Sequence, residues 1–136
     1  MGDINDWAAF VRGRWDWTKG GYERGFPRGC QFTDVDAAVE FDGRSLVMEA
    51  KHWDGQGPIP RLSEGQRLFL LDEVRRGKTA LVVFGCGSCN DPWAVRSMNT
   101  GKLHDWRDII TKEERRLRLK LLIDQAMGLR SGIEAA

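Results

Sequence analysis

The stretch that most constrains this chain is Asp34-Val35-Asp36-Ala37-Ala38-Val39-Glu40-Phe41-Asp42-Gly43-Arg44-Ser45-Leu46-Val47-Met48-Glu49-Ala50-Lys51. Asp-Gly between two runs of strand-forming residues is the strongest short-range hairpin signal, because both central positions of a type I′ turn need positive φ. A two-residue turn at Asp42-Gly43 sets the register by counting. Phe41 opposes Arg44, Val39 opposes Leu46, Asp36 opposes Glu49 and Asp34 opposes Lys51. Directly opposed residues share a face and strand side chains alternate, so Asp34, Asp36, Glu49 and Lys51 are expected on one face of one hairpin. Opposed carboxylates roughly 5 Å apart at Cβ repel each other unless positive charge lies between them. A solvated face with an Asp34–Lys51 cross-strand pair is the plain reading. A divalent cation beside a lysine is the reading that gives the two acids a reason to meet.

The rest of the chain supplies a framework for that hairpin. Residues 6–17 carry Trp7, Phe10 and Val11 at helical spacing and suggest a first helix, followed by a loop over 18–29 rich in Gly, Arg and aromatics. The hairpin is expected over 33–51. Ser63 with Gln66 three residues on is a capping box, Leu68, Leu71 and Val74 repeat at helical spacing, and Gly77 is a stop; a helix is predicted over 63–76. Residues 79–84, Thr-Ala-Leu-Val-Val-Phe, form a continuous apolar run typical of a strand buried on both faces. A turn is expected over 85–92, a more peripheral strand over 93–98, and a last helix over 112–127. That helix opens on Thr111 and Glu114 and has Leu119, Leu122, Ile123 and Ala126 on one side. A helix between the Glu49 strand and the 79–84 strand requires those two to run parallel. The expected fold class is therefore α/β, a mixed sheet flanked by helices, in one domain over 1–136 with its core at about 33–98.

Composition narrows the function classes. At 136 residues the chain can build a real core without staples, and no apolar run reaches the length of a membrane span. The N-terminal residues lack the basic-then-apolar layout of a signal peptide, and three cysteines do not make a disulfide framework, so a reducing cytoplasm is the expected location. The formal net charge of +1 offers no overall attraction to nucleic acid, so such a surface must be local. Residues 12–28 provide one: Arg12, Arg14, Lys19, Arg24 and Arg28 interleave with Trp15, Trp17, Tyr22 and Phe26, guanidinium groups for phosphates and rings for unpaired bases. The bland alternative makes those rings core and those arginines solvated. Arg115, Arg116, Arg118 and Lys120 form a second basic cluster, most simply a solvated helix face.

For a hard cation such as Mg²⁺ or Mn²⁺, two carboxylates and a backbone carbonyl suffice, the other positions being filled by water. Asp36, Glu49 and the Ala50 carbonyl make such a set, with Asp34 as rival or helper and Lys51 able to orient a water or balance charge on a phosphate. An aspartate followed by Glu49-Ala50-Lys51 on the next strand, then Gly65-Gln66 opening a helix and a buried strand after Gly77, resembles the PD-(D/E)xK nuclease superfamily. The order is similar to small phage-type and VRR-NUC-like members and to the Holliday junction resolvases. The resemblance covers about 33–85. It implies a restriction-endonuclease-like fold, with Asp36 and Glu49 as metal ligands, Lys51 as the catalytic lysine and Gln66 as a helix residue turned toward the site. It further implies a Mg²⁺-dependent deoxyribonuclease acting on branched DNA, compact, dimeric and without an organic cofactor, in a cell's cytoplasm or that of a phage's host. Val35 stands where the family's proline would be, and the first helix offers Asp3, Asp6 and Asp16 rather than a glutamate. A nicking or end-processing nuclease on linear DNA, and a DNA-binding accessory without chemistry, are the alternatives.

Three further features complete the reading. His52 is expected on the face opposite Lys51, and His104 is isolated. Cys86-Gly87-Ser88-Cys89 is a lone C-x-x-C with no second ligand pair at zinc spacing, and is read as a turn.

Overall fold

The computed structural model describes Trp17 and residues 20–27 and 38–129. The expected first helix, and with it the acids Asp34 and Asp36, lies outside the described residues. Five strands and two helices follow one another: β1 (Ala38–Phe41), β2 (Arg44–His52), α1 (Glu64–Arg75), β3 (Thr79–Cys86), β4 (Asp91–Ser97), β5 (Leu103–Asp105) and α2 (Lys112–Ala126). The strands make a single mixed sheet in the order β1-β2-β3-β4-β5. Only β2 and β3 are parallel, as the intervening helix requires; β1–β2, β3–β4 and β4–β5 are antiparallel.

Over the described residues 38–47 the hairpin has the register counted from its turn. Phe41 pairs with Arg44, Val39 with Leu46 and Ala38 with Val47, and Asp42 and Gly43 take φ of 51° and 76°, both positive as a type I′ turn demands. Alternation along β2 then separates two cores. Leu46 and Met48 join Leu81, Val83 and Val95 on the face covered by α2, where Leu119, Ile123 and Met127 meet Trp17, Tyr22 and Trp106. Val47 joins Ala80, Val82, Phe84 and Ala94 on the opposite face, under Leu70 of α1 and Trp53. β3 serves both cores and is buried from Ala80 through Phe84, which is why its sequence is apolar without alternation.

Three expectations are corrected. α1 does not bury Leu68, which is 49% exposed beside Phe69 at 55%; its inward residues are Leu70 and Glu73. The helix can turn a glutamate inward because Lys78 Nζ lies 2.5 Å from Glu73 Oε2, so a polar position belongs to the buried face. The strand expected at the periphery is interior, since the three-residue β5, too short to give a period, covers its far edge and leaves Ala94 and Val95 fully buried. The turn expected over 85–92 is shorter, because strand pairing continues through Gly85↔Pro92 and Cys86↔Asp91 after a bulge at Phe84/Gly85. A bulge is where a sheet accepts a proline, which lacks the ladder N–H. Gly85 is required there: a Cβ would fall 2.2 Å from the carbonyl oxygen of Asp91.

The second basic cluster is likewise not a solvated face. Arg115 is buried, with its Nη2 2.6 Å and its Nε 3.2 Å from Asp91 Oδ1, and it donates further to the carbonyls of Pro92, Ile109 and Ile110. Its guanidinium stacks 3.7 Å from the centroid of a Trp93 ring. Lys120 Nζ is buried against Asp124 Oδ1 at 2.6 Å and donates to the carbonyls of Tyr22 and Arg24. Arg116 donates to the carbonyls of Asn90 and Cys89. Of the four, Arg118 alone is exposed, one turn from Glu114 at 3.4 Å. Three of the four cations thus tie α2 to loops, and the signal available in sequence was the i,i+4 spacing of Lys120 and Asp124.

Candidate functional site

Glu49 and Lys51 alternate with Met48 and Ala50 on β2 and belong to the face of Val47, the one covered by α1. Both are half-buried. In the parallel ladder Glu49 pairs with Val82 and Lys51 with Phe84, both buried, so acid and base stand on an apolar floor formed by the neighbouring strand. Apolar surroundings lower the effective dielectric and strengthen each charge's action on a nearby phosphate or cation.

α1 begins within reach of Glu49. Ser63 is its N-cap, in extended conformation, and its Oγ accepts from the backbone N–H of Gln66 at 3.2 Å. Gln66 completes the capping box: its Oε1 accepts from the Ser63 N–H at 3.1 Å. The other end of the same amide donates from Nε2 to Glu49 Oε1 at 3.3 Å. Cap and site are therefore not rival uses of Gln66, because an amide carries an acceptor at one end and two donors at the other. The acceptor fixes the helix start, and the donor fixes a carboxylate oxygen on β2. The arrangement also brings the positive end of the helix dipole toward an anion. Glu64, in the same first turn, is engaged elsewhere: it receives Arg67 Nη2 at 2.6 Å and Nε at 3.1 Å, and that pairing lowers its pKa.

Of the acids expected to hold a cation, Glu49 is described, while Asp34 and Asp36 lie outside the described residues. Ala50, whose carbonyl completes the expected set, sits between Glu49 and Lys51 opposite Val83, with its side chain packed against the α2-side core. Among the described residues no group of three or more His, Cys, Asp or Glu side chains gathers to hold a metal ion. The donors of the expected set are all oxygens and so fit a hard divalent cation by chemical type.

In the basic-aromatic segment the structure separates rings from charges. Arg24 is exposed, while Arg12, Arg14, Lys19 and Arg28 lie outside the described residues. Trp17 and Tyr22 are buried in the α2-side core, and a Phe26 ring lies 4.8 Å from the Lys120 ammonium. These rings are core, so the expectation that Trp17 and Tyr22 stack on bases is corrected. Burial raises the Tyr22 pKa far above its ordinary value, keeping the phenol neutral to donate to Asn90 Oδ1 at 2.8 Å. His52 turns away from Lys51 as alternation requires, and its buried Nδ1 has no hydrogen-bond partner among the described residues. His104 lies on β5, where burial and then Lys102 lower its pKa.

Comparison with protein-family models, with curated proteins and with solved structures gave no match for this chain.

Proposed function

We propose that this protein is a metal-dependent DNA phosphodiesterase of the PD-(D/E)xK type, built on a restriction-endonuclease-like core and acting on branched DNA. The observation that carries the reading is the contact of Gln66 with Glu49 beside Lys51. A half-buried carboxylate is oriented by a helix-start amide, with an ammonium two residues along the same strand face. An exposed sheet surface has no use for that orientation; a ligand site does.

In this reading Glu49, Asp36 and the Ala50 carbonyl would hold Mg²⁺ or Mn²⁺. When bound, the cation supplies Lewis acidity at a phosphate oxygen and lowers the pKa of a coordinated water. Gln66 keeps Glu49 in the rotamer that presents its carboxylate to the site. Lys51 faces the scissile phosphate, holds the attacking water by hydrogen bonding and offsets the negative charge that develops on the non-bridging oxygens. The apolar floor of Val82 and Phe84 excludes water behind the two charges. Arg24, with Arg12, Arg14, Lys19 and Arg28, would contact the DNA backbone and position the strand without reading its sequence.

The test is a substrate panel. Labelled four-way junction, linear duplex and single-stranded DNA are incubated with purified protein in Mg²⁺, in Mn²⁺ and in chelator. Cation-dependent cutting with preference for the junction is expected. Equal cutting of every substrate removes the preference for branched DNA and leaves the nuclease. Binding without cutting in either cation removes the enzyme and leaves a DNA-binding accessory.

A further inference from the structure

The loop between β3 and β4 carries chemistry that phosphodiester hydrolysis does not use. Cys86 ends β3 and Cys89 lies in the four-residue turn over 87–90, which is closed by the Asn90 N–H donating to the Gly87 carbonyl at 3.1 Å. Both are free thiols; Cys89 is exposed and Cys86 half-buried. Ser88 stands between them, its Oγ 3.4 Å from Cys86 Sγ and 4.0 Å from Cys89 Sγ. The loop is held in place from outside. Lys112 and Arg116 of α2 donate to the Cys89 carbonyl at 3.3 Å each, Arg116 donates to the Asn90 carbonyl at 2.7 Å, and the Tyr22 hydroxyl holds the Asn90 side chain. These anchors hold the Cys89–Asn90 half of the turn, and the pairing of Cys86 with Asp91 holds the other, which keeps the two sulfurs near each other at little further entropic cost.

We propose that Cys86 and Cys89 form a thiol–disulfide exchange site, a vicinal dithiol that is oxidised by low-molecular-weight disulfides such as glutathione disulfide. The Cys86 thiolate attacks one sulfur of the small disulfide, forming a mixed disulfide and releasing one thiolate. Cys89, deprotonated, then attacks the Cys86 sulfur, closing the intramolecular bond and releasing the second thiolate. The protein loses two electrons and two protons, and the small disulfide gains them as two thiols. Burial acts to raise the Cys86 pKa, but hydrogen bonds from Cys89 and Ser88 outweigh it and leave the value lowered. The Cys89 pKa is raised, chiefly by its hydrogen bond with Cys86. The first sulfur is thus the better thiolate and the second holds the proton the pair shares. A structural turn needs neither two thiols nor a serine hydroxyl within reach of both sulfurs.

The site is tested on the full chain, independently of cleavage. The protein is equilibrated across a series of reduced-to-oxidised glutathione ratios, quenched in acid, alkylated and weighed intact, with the bond mapped by peptide analysis. The expected result is a joint loss of two alkylation sites and of the mass of two hydrogens, mapped to Cys86–Cys89. Cys89→Ser is expected to stop at a glutathione adduct on Cys86. Two thiols that stay alkylatable throughout the series would overturn the proposal, as would a bond mapped to Cys30 or to a second molecule. The wild-type measurement decides the matter even if the variant folds poorly.

Discussion

Gln66 divides one amide between two tasks, and the division can be taken apart by substitution. Ser63→Ala removes the capping oxygen but leaves the Gln66 amide free to reach Glu49. It is expected to cost about 1 kcal/mol of stability by denaturant titration, with cleavage little changed. Gln66→Glu preserves a capping-box side chain yet sets a carboxylate against Glu49 in place of an N–H donor. Cleavage or cation affinity is expected to fall roughly 10–100-fold, the usual cost of losing a partner that orients a ligand. If Ser63→Ala and Gln66→Glu damaged activity equally, the contact with Glu49 would have no role of its own. The cap was legible from Ser63 and Gln66 three residues apart. The reach to Glu49 was implied by the family resemblance and not by the spacing, since it depends on how α1 lies over the sheet. Arg115 shows the same limit: its residue type suggests solvent or phosphate, and only the fold brings Asp91 and the Trp93 ring to it. Arg115→Met should destabilise by about 3 kcal/mol in thermal or chemical unfolding, because Asp91 then loses its partner in a largely buried pair. A loss under about 0.5 kcal/mol, the scale of a surface change, would contradict the buried clamp.

Elements were readable where a local rule acted alone. Asp42-Gly43 fixed the hairpin register, the apolar run 79–84 marked the doubly buried strand, and Leu119 and Ile123 marked the inner face of α2. Reading failed where one element's fit depended on another. The inward face of α1 is set in part by the Glu73–Lys78 pair, so apolar periodicity misplaced Leu68. β5 exists because β4 offers it an edge, and Leu103, His104 and Asp105 have no period of their own. The β3–β4 bulge belongs to this scale as well. Gly85→Ala places a Cβ 2.2 Å from the Asp91 carbonyl oxygen, and backbone is not free to give way as a flexible side chain would. The expected loss is at least about 1–3 kcal/mol, the range for overpacking, measured as a lowered unfolding midpoint. An unchanged midpoint would mean the strands do not approach as described.

At the scale of the whole molecule, the sheet carries two different loads on its two faces. The α2 side holds the larger core and the buried cations that secure the loops, while the α1 side leaves Glu49 and Lys51 half-buried at the start of a helix. On the function proposed here, that asymmetry makes the α1 side the place for chemistry. Among the described residues no helix is long and apolar enough to cross a membrane. The general α/β plan was foreseeable from the order of elements, and the common face of Glu49 and Lys51 from alternation alone. The most direct test of the central claim compares wild-type protein with Lys51→Ala and Glu49→Gln. All are purified in parallel, shown to be folded by circular dichroism, and assayed for Mg²⁺-dependent cleavage of a labelled four-way junction. Each variant should retain its fold and lose at least about 10²–10³-fold in cleavage rate, the usual effect of removing one transition-state stabilising group. Cutting that persists undiminished in both variants would contradict the assignment.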